Sequence, residues 1–380
     1  MKKQQIIAIA LSIAIQANVP VLLMGAPGIG KSSTIVAIAK ALGRFIEIVI
    51  ASLREPSDFA GLPIIDNGDV KLAPPAWAKR LVSYIKGILL LDEITTAAPA
   101  VQAALLRVVL DRCVGDLQLP TDTVIIAAAN PTEQSAGGWD LSAPLSNRFV
   151  HLEWQIDPEM WADGLVDGWQ SSDITMLPTD WESELPVAKA LVASFIRKLP
   201  HLLFQYPKEE SQASKPWASP RSWTMATTLL AACRSANVSE DVLFTLMAGS
   251  IGQATAITFV NWLKDLDLPN PEMILANPSM LKIPTNQNDK LYTILSSVSN
   301  AVAKNNTIDR FYRGVKVMSF VANAGFVDIA YLHLRTLIKN MPQGANTNIP
   351  EMAVFAPVMQ QAGLINKIKP VGQITQNNTV

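Results

Sequence analysis

The residues best suited to chemistry fall into three groups. The first is Gly25-Ala26-Pro27-Gly28-Ile29-Gly30-Lys31-Ser32, followed by Ser33. Its spacing, G-x-x-x-x-G-K-[ST], is that of a phosphate-binding loop. Glycines let backbone N–H groups converge on phosphate oxygens, and a following helix adds the partial positive charge of its N-terminus. In such a loop Lys31 reaches the β- and γ-phosphates and Ser32 ligates Mg²⁺, so ATP with Mg²⁺ is the expected ligand. The second group is Asp92-Glu93, which ends the apolar run Leu89-Leu90-Leu91. Asp92 is placed to hold the Mg²⁺ shell, and Glu93 to orient or deprotonate an attacking water. The third is Asn130, after Ala127-Ala128-Ala129. An amide at the carboxyl end of a strand can position water near a γ-phosphate; a plain Asn130-Pro131 turn is the alternative.

These groups need a scaffold of alternating strands and helices. Pro20-Val21-Leu22-Leu23-Met24 reads as a buried strand feeding the loop, and Ile35, Ile38, Ala39 and Leu42 share one face of the helix after it. Residues 45–50, 88–91, 124–129 and 149–154 read as four more strands. A helix to about Asp111 follows the third strand, with Thr95 or Thr96 as its cap and Pro99 in its first turn. The order implies an α/β fold with a parallel sheet core. Residues 51–87 read as a long irregular connection, where Trp77 is either an anchor for a partner or a packing residue of its own domain. Residues 157–185 read as a linker or insertion. From Pro186 onward the pattern is helical: 187–198, 223–235, 241–264, 291–304 and 307–339, the last breaking near Ala324-Gly325. The domains expected are a nucleotide-binding core over 1–156, a helical lid over 186–285 and a helical C-terminal segment over 286–380 with a loose tail from Gln373.

Composition narrows the class. Of 380 residues 49% are hydrophobic and 17% charged, which indicates a globular protein. The net charge of −1 and the lack of a long Lys/Arg run argue against nucleic acid or an anionic membrane as main partner. Cys113 and Cys233 form no metal-ligand pattern and read as reduced core thiols of a cytoplasmic protein. Residues 4–17 read as a helix packed beside the first strand, in preference to a secretory signal. His151, His201 and His333 show no ligand spacing.

Together Gly25 to Ser32, Asp92-Glu93, Asn130 and Asn147-Arg148-Phe149 resemble an AAA+ ATPase. Arg54-Glu55-Pro56-Ser57-Asp58-Phe59-Ala60-Gly61-Leu62-Pro63 and Leu141-Ser142-Ala143-Pro144-Leu145-Ser146-Asn147-Arg148-Phe149 resemble its MoxR-type branch, over about residues 5–280. Ala218-Ser219-Pro220-Arg221-Ser222-Trp223 is similar to the sensor 2 motif that opens a lid helix. The resemblance implies Asn130 as sensor 1 and Arg148 as an arginine finger on ATP bound by the neighbouring subunit. It implies that Arg221 contacts the γ-phosphate in its own subunit. A surface arginine and a helix-start salt bridge are the plainer uses of these two, and Arg107 and Arg112 are alternative fingers. A finger acting between subunits implies a homo-oligomer, most simply a hexameric ring. The branch further implies chaperone-like remodelling of a protein client, with a von Willebrand factor A protein as a possible partner. A nucleic-acid motor or loader, and a nucleotide-gated scaffold with little turnover, are the competing classes.

Overall fold

The computed structural model describes residues 1–131, 134, 138–167, 174–209, 212–266, 268–284 and 288–361. The chain divides into two compact units, Met1–Asp265 and Leu266–Val380.

In chain order the first unit begins with helix α1 (Lys3–Gln16), strand β1 (Val21–Met24), helix α2 (Lys31–Ala41) and strand β2 (Phe45–Ile50). It continues with α3 (Ser57–Ala60), the hairpin β3 (Leu62–Asp66) and β4 (Asp69–Ala73), α4 (Ala76–Val82), β5 (Gly87–Asp92) and α5 (Pro99–Asp111). The short strands β6 (Cys113–Val114) and β7 (Leu117–Gln118) pair with each other, and β8 (Val124–Ala129), α6 (Ala143–Ser146) and β9 (Val150–Glu153) follow. Five strands form one parallel sheet in the order β2-β5-β8-β1-β9. This is an α/β sheet core of the phosphate-loop type. The strands read as continuous apolar runs because helices cover both faces: all six residues of β8 are buried. Parallel pairing puts every carboxyl end on one edge of the sheet, where loops can gather ligands.

The helices α7 (Pro158–Asp167), α8 (Leu185–Lys198), α9 (Pro220–Ala236), α10 (Glu240–Ile251) and α11 (Gln253–Asp265) complete the first unit. Helix α1 is folded into it, with Ala10, Leu11, Ile13, Ala14 and Ile15 fully buried. Phe195, Trp223 and Phe259 from α8, α9 and α11 pack at centroid distances of 5.0–5.6 Å, Phe259 edge-on to both others and Phe195 tilted against Trp223.

The second unit holds α12 (Pro271–Ala276), α13 (Asn288–Lys304), α14 (Ile308–Asn323), α15 (Val327–Lys339) and α16 (Ala356–Gln361). Leu291, Leu295, Val298, Phe311, Val315, Met318, Leu334 and Phe355 form its core. Arg310 joins α12 to α14 by a two-pronged bond to Glu272, at 2.9 and 2.6 Å.

Several expectations need correction. Residues 51–87 are not irregular: Asn67-Gly68 closes the two-residue turn of a hairpin whose register pairs Asp66 with Asp69. Trp77 is buried against Phe59, a packing residue of its own domain. Neither Thr95 nor Thr96 caps α5. Their hydroxyls donate to the carbonyls of Asn130 and Glu93, and Ala98 precedes Pro99 at the helix start. Within 157–185 there is a helix, α7, with no buried residue, so burial stamped no periodicity on it. The single helix expected over 241–264 is two, divided at Gly252. Its φ of 82° suits glycine, and a Cβ there would lie 2.9 Å from the Pro216 carbonyl oxygen. The expected loose tail from Gln373 lies outside the described residues.

Candidate active site

The glycine loop is held by groups from three strands. The Gly25 N–H donates to Ala129 O at 3.2 Å, and the Trp154 N–H donates to Met24 O at 2.7 Å. The Trp154 indole N–H donates to Ile29 O at 3.1 Å, so one buried tryptophan closes over the loop at both ends. A Cβ on Gly25 would stand 2.7 Å from Trp154 O, which is why this position takes glycine.

Lys31 is buried, and its ammonium donates to Gly25 O at 2.8 Å, Ala26 O at 2.8 Å and Asn130 Oδ1 at 2.7 Å. These bonds match all three of its donors. Burial pushes its pKa down, opposed by the charge of Asp92. The Asn130 carbonyl is fixed in turn by Thr95 Oγ1 at 3.1 Å, so the amide stays on the loop side of β8.

Ser32 Oγ donates to Asp92 Oδ2 at 2.7 Å. A hydroxyl and a carboxylate side by side are hard oxygen ligands suited to Mg²⁺, which also takes phosphate oxygens and water. Among the described residues no cluster of three or more His, Cys, Asp or Glu offers a competing all-protein metal site. Next along the chain, Glu93 adopts a left-handed backbone (φ 57°). A non-glycine residue there is uncommon and turns the carboxylate away from the strand. Glu93 Oε2 accepts a bond from Ser52 Oγ at 2.6 Å. The register of β2 with β5 pairs Ile50 with Asp92, which brings the turn after β2 beside Glu93.

The structure therefore brings Gly25, Lys31, Ser32, Asp92, Glu93 and Asn130 to the carboxyl edge of the sheet. Pro27, Gly28, Ile29 and Gly30 complete the loop, and Ser33 follows in the first turn of α2. Arg148 and Arg221 are not with them. Arg148 is two residues before Val150, whose N–H donates to Pro20 O at 2.9 Å, at the start of β1 and not its end. Arg148 Nη1 donates to Pro144 O. Burial, then the charge of Arg221, lowers its pKa, and Asp111 opposes this. Arg221 is exposed and its charge acts on Arg148, so this structure groups it with Arg148 and not with Lys31. Arg112 uses its guanidinium on Thr123 O at 3.1 Å and Asn18 Oδ1 at 3.0 Å, joining the end of α5 to the starts of β8 and β1. Arg107 is exposed.

Two residues escaped sequence reasoning. Ser52 lies outside every motif, and only the register of β2 shows it. Trp154 ends the fifth strand; an aromatic just past an edge strand carries no signal of its own.

A cavity of about 560 Å³ lies at the amino edge of the sheet, lined by Asn18, Pro20, Arg44, Arg112, Trp181 and Thr224 among others, with no residue of the loop. No described helix is long and apolar enough to cross a membrane. The chain is similar to the crystal structure of a "putative ATPase" from Cytophaga hutchinsonii ATCC 33406, at 19% identity and a TM-score of 0.42, over 66% of this chain and 87% of that one. Residues 20–151, which include Lys31, Ser32, Asp92, Glu93, Asn130 and Arg148, match the model of the ATPase family associated with various cellular activities (AAA), which marks this stretch as an AAA-family ATPase domain.

Proposed function

We propose that the protein hydrolyses ATP with Mg²⁺ as a ring-forming ATPase of the MoxR type, and that hydrolysis drives remodelling of a protein client. The observation that carries the ATPase reading is the joint placement of Lys31 with Asn130, Ser32 with Asp92, and Glu93 at one strand edge.

Each residue then has a task. The loop N–H groups and Lys31 bind the phosphates; Lys31 exchanges its bonds to Gly25 O and Ala26 O for phosphate oxygens. Ser32 and Asp92 would hold Mg²⁺, which would supply charge neutralisation at the phosphates. Asn130 orients the attacking water, and Glu93 accepts its proton. Arg148 stabilises transition-state charge on the ATP of a neighbouring copy, a role that rests on the family resemblance and requires a head-to-tail assembly. The remodelling role and a protein partner, such as a von Willebrand factor A protein, rest on the same resemblance. The near-zero net charge favours a protein client over nucleic acid.

Glu93→Gln keeps the shape of the side chain and removes the base. It should bind ATP with near wild-type affinity and lose about 10²–10⁴ in turnover, read by phosphate release beside nucleotide titration. Turnover at the wild-type rate would remove Glu93 from the chemistry and favour a scaffold that only binds nucleotide.

A further inference from the structure

The cavity at the amino edge of the sheet follows from strand register. Phe45 of β2 pairs with Gly87 of β5, so Arg44 and Lys86, one residue before each, come side by side. Ile88 pairs with Val124, which brings the segment before β8, with Asp122, to the same edge. Arg112, after α5, joins them. The rest of the lining includes residues of the helical part, Trp181 before α8 and Met225 and Thr228 on α9. At about 560 Å³ the space is within the range of sites that enclose small molecules.

Two half-buried guanidiniums reach this space. Arg112 donates from Nε to Thr123 O at 3.1 Å and from Nη2 to Asn18 Oδ1 at 3.0 Å. Arg44 donates from Nη1 to Asp122 O at 3.2 Å. All three acceptors are neutral. A guanidinium has five N–H donors, so most are left over. No described residue accepts from Nη1 of Arg112, nor from Nε or Nη2 of Arg44. Burial lowers the pKa of both arginines, and the charge of Asp122 opposes this at each.

The carboxylates of the cavity do not cancel these charges. Arg44, Lys86 and Arg112 stand against Asp122 and Glu182, three cations to two anions. Asp122 and Glu182 are exposed, and neither forms an ion pair with a described residue. Water solvates them, whereas the guanidiniums are the charges drawn out of water and most in need of a counter-charge. Carboxylate and phosphate oxygens suit a guanidinium in charge and in geometry. Pro20, Trp181, Leu185 and Met225 add apolar surface to the same lining.

We infer that this cavity is a second ligand site, which takes a small organic anion: a phosphate or carboxylate group on an apolar or aromatic body. Arg44 and Arg112 receive the anionic group, and Trp181, Leu185 and Met225 receive the body. The site shares no residue with the glycine loop, so the inference stands apart from the ATPase reading.

Calorimetric titration of the full-length chain with phenyl phosphate, and separately with benzoate, tests it. At least one should bind one to one with a Kd below about 1 mM, and the stronger of the two tells phosphate from carboxylate. Uncharged benzyl alcohol should bind at least about tenfold more weakly. Arg44→Gln should weaken the anion at least about tenfold. Lys86→Gln should weaken it about threefold with unchanged urea unfolding, because Lys86 is exposed and holds no described residue; its effect decides the matter if Arg44→Gln is unstable. Lys31→Ala should leave the binding as it is. Binding of neither anion would overturn the inference, as would equal binding of benzyl alcohol. Binding that both cavity variants leave intact would overturn it too. So would binding that Lys31→Ala abolishes, because the anion would then sit in the glycine loop.

Discussion

Trp154→Phe isolates how the glycine loop is kept in shape. The replacement preserves a buried aromatic ring and the backbone bond to Met24 O; it removes the indole N–H that donates to Ile29 O at 3.1 Å, together with one ring of packing that global stability reads. The lost bond is neutral, and Ile29 is half-buried, so water can partly replace the donor. A cost of about 1 kcal/mol follows. If that energy orders the loop for phosphate, ATP affinity should fall about fivefold. Titration with a fluorescent ATP analogue, beside urea unfolding, separates loop order from global stability. Gly25→Ala strikes the same clamp by adding a Cβ 2.7 Å from Trp154 O and 2.9 Å from Ile29 Cδ1. Relief of that overlap should cost about 1–3 kcal/mol, so affinity should drop further than in Trp154→Phe. Unchanged ATP affinity in Trp154→Phe with lowered stability would refute the reasoning, because the tryptophan would then serve only the core.

Other outcomes follow from particular contacts. Gly252→Ala forces an L-residue into φ 82° against Pro216 O and should destabilise the first unit by about 1–3 kcal/mol in denaturant titration. His333 is buried, with its Nε2 unpartnered, and burial lowers its pKa from 6.5 to about 4. Between those values the unfolded chain binds the extra proton. Its contribution is therefore complete above about pH 6.5 and is lost as pH falls towards 4, by up to about 3 kcal/mol. His333→Leu should flatten this acid dependence. His151 shares the shift to about 4, so part of the slope should survive in the variant.

Much of the core was legible because its signals are local. The strand at β1, the loop with Lys31 and Ser32, and the strand ending in Asp92 each lie within one short window. The apolar strand runs follow from a parallel sheet buried on both faces. The hairpin over β3 and β4 was missed although Asn67-Gly68 is a strong turn signal, because Leu62, Ile65 and Val70 stay exposed and give no buried alternation. Helix α7 was missed for a related reason: nothing in it is buried. Gly252 reads as part of one helix because periodicity continues across it, while the close Pro216 carbonyl comes from about 35 residues away. Ser52 and Trp154 depend on strand register, which one sequence does not display. Arg221 was recognisable as a helix-start arginine. Which edge of the sheet it occupies depends on Ser219 meeting Asn147, a contact between residues 72 apart in sequence.

The most direct test of the central claim is turnover of radiolabelled ATP by the purified full-length chain, with and without Mg²⁺, beside Lys31→Ala. The account predicts Mg²⁺-dependent release of phosphate that Lys31→Ala abolishes. Absence of release from the wild type, or release that Lys31→Ala leaves unchanged, would contradict it.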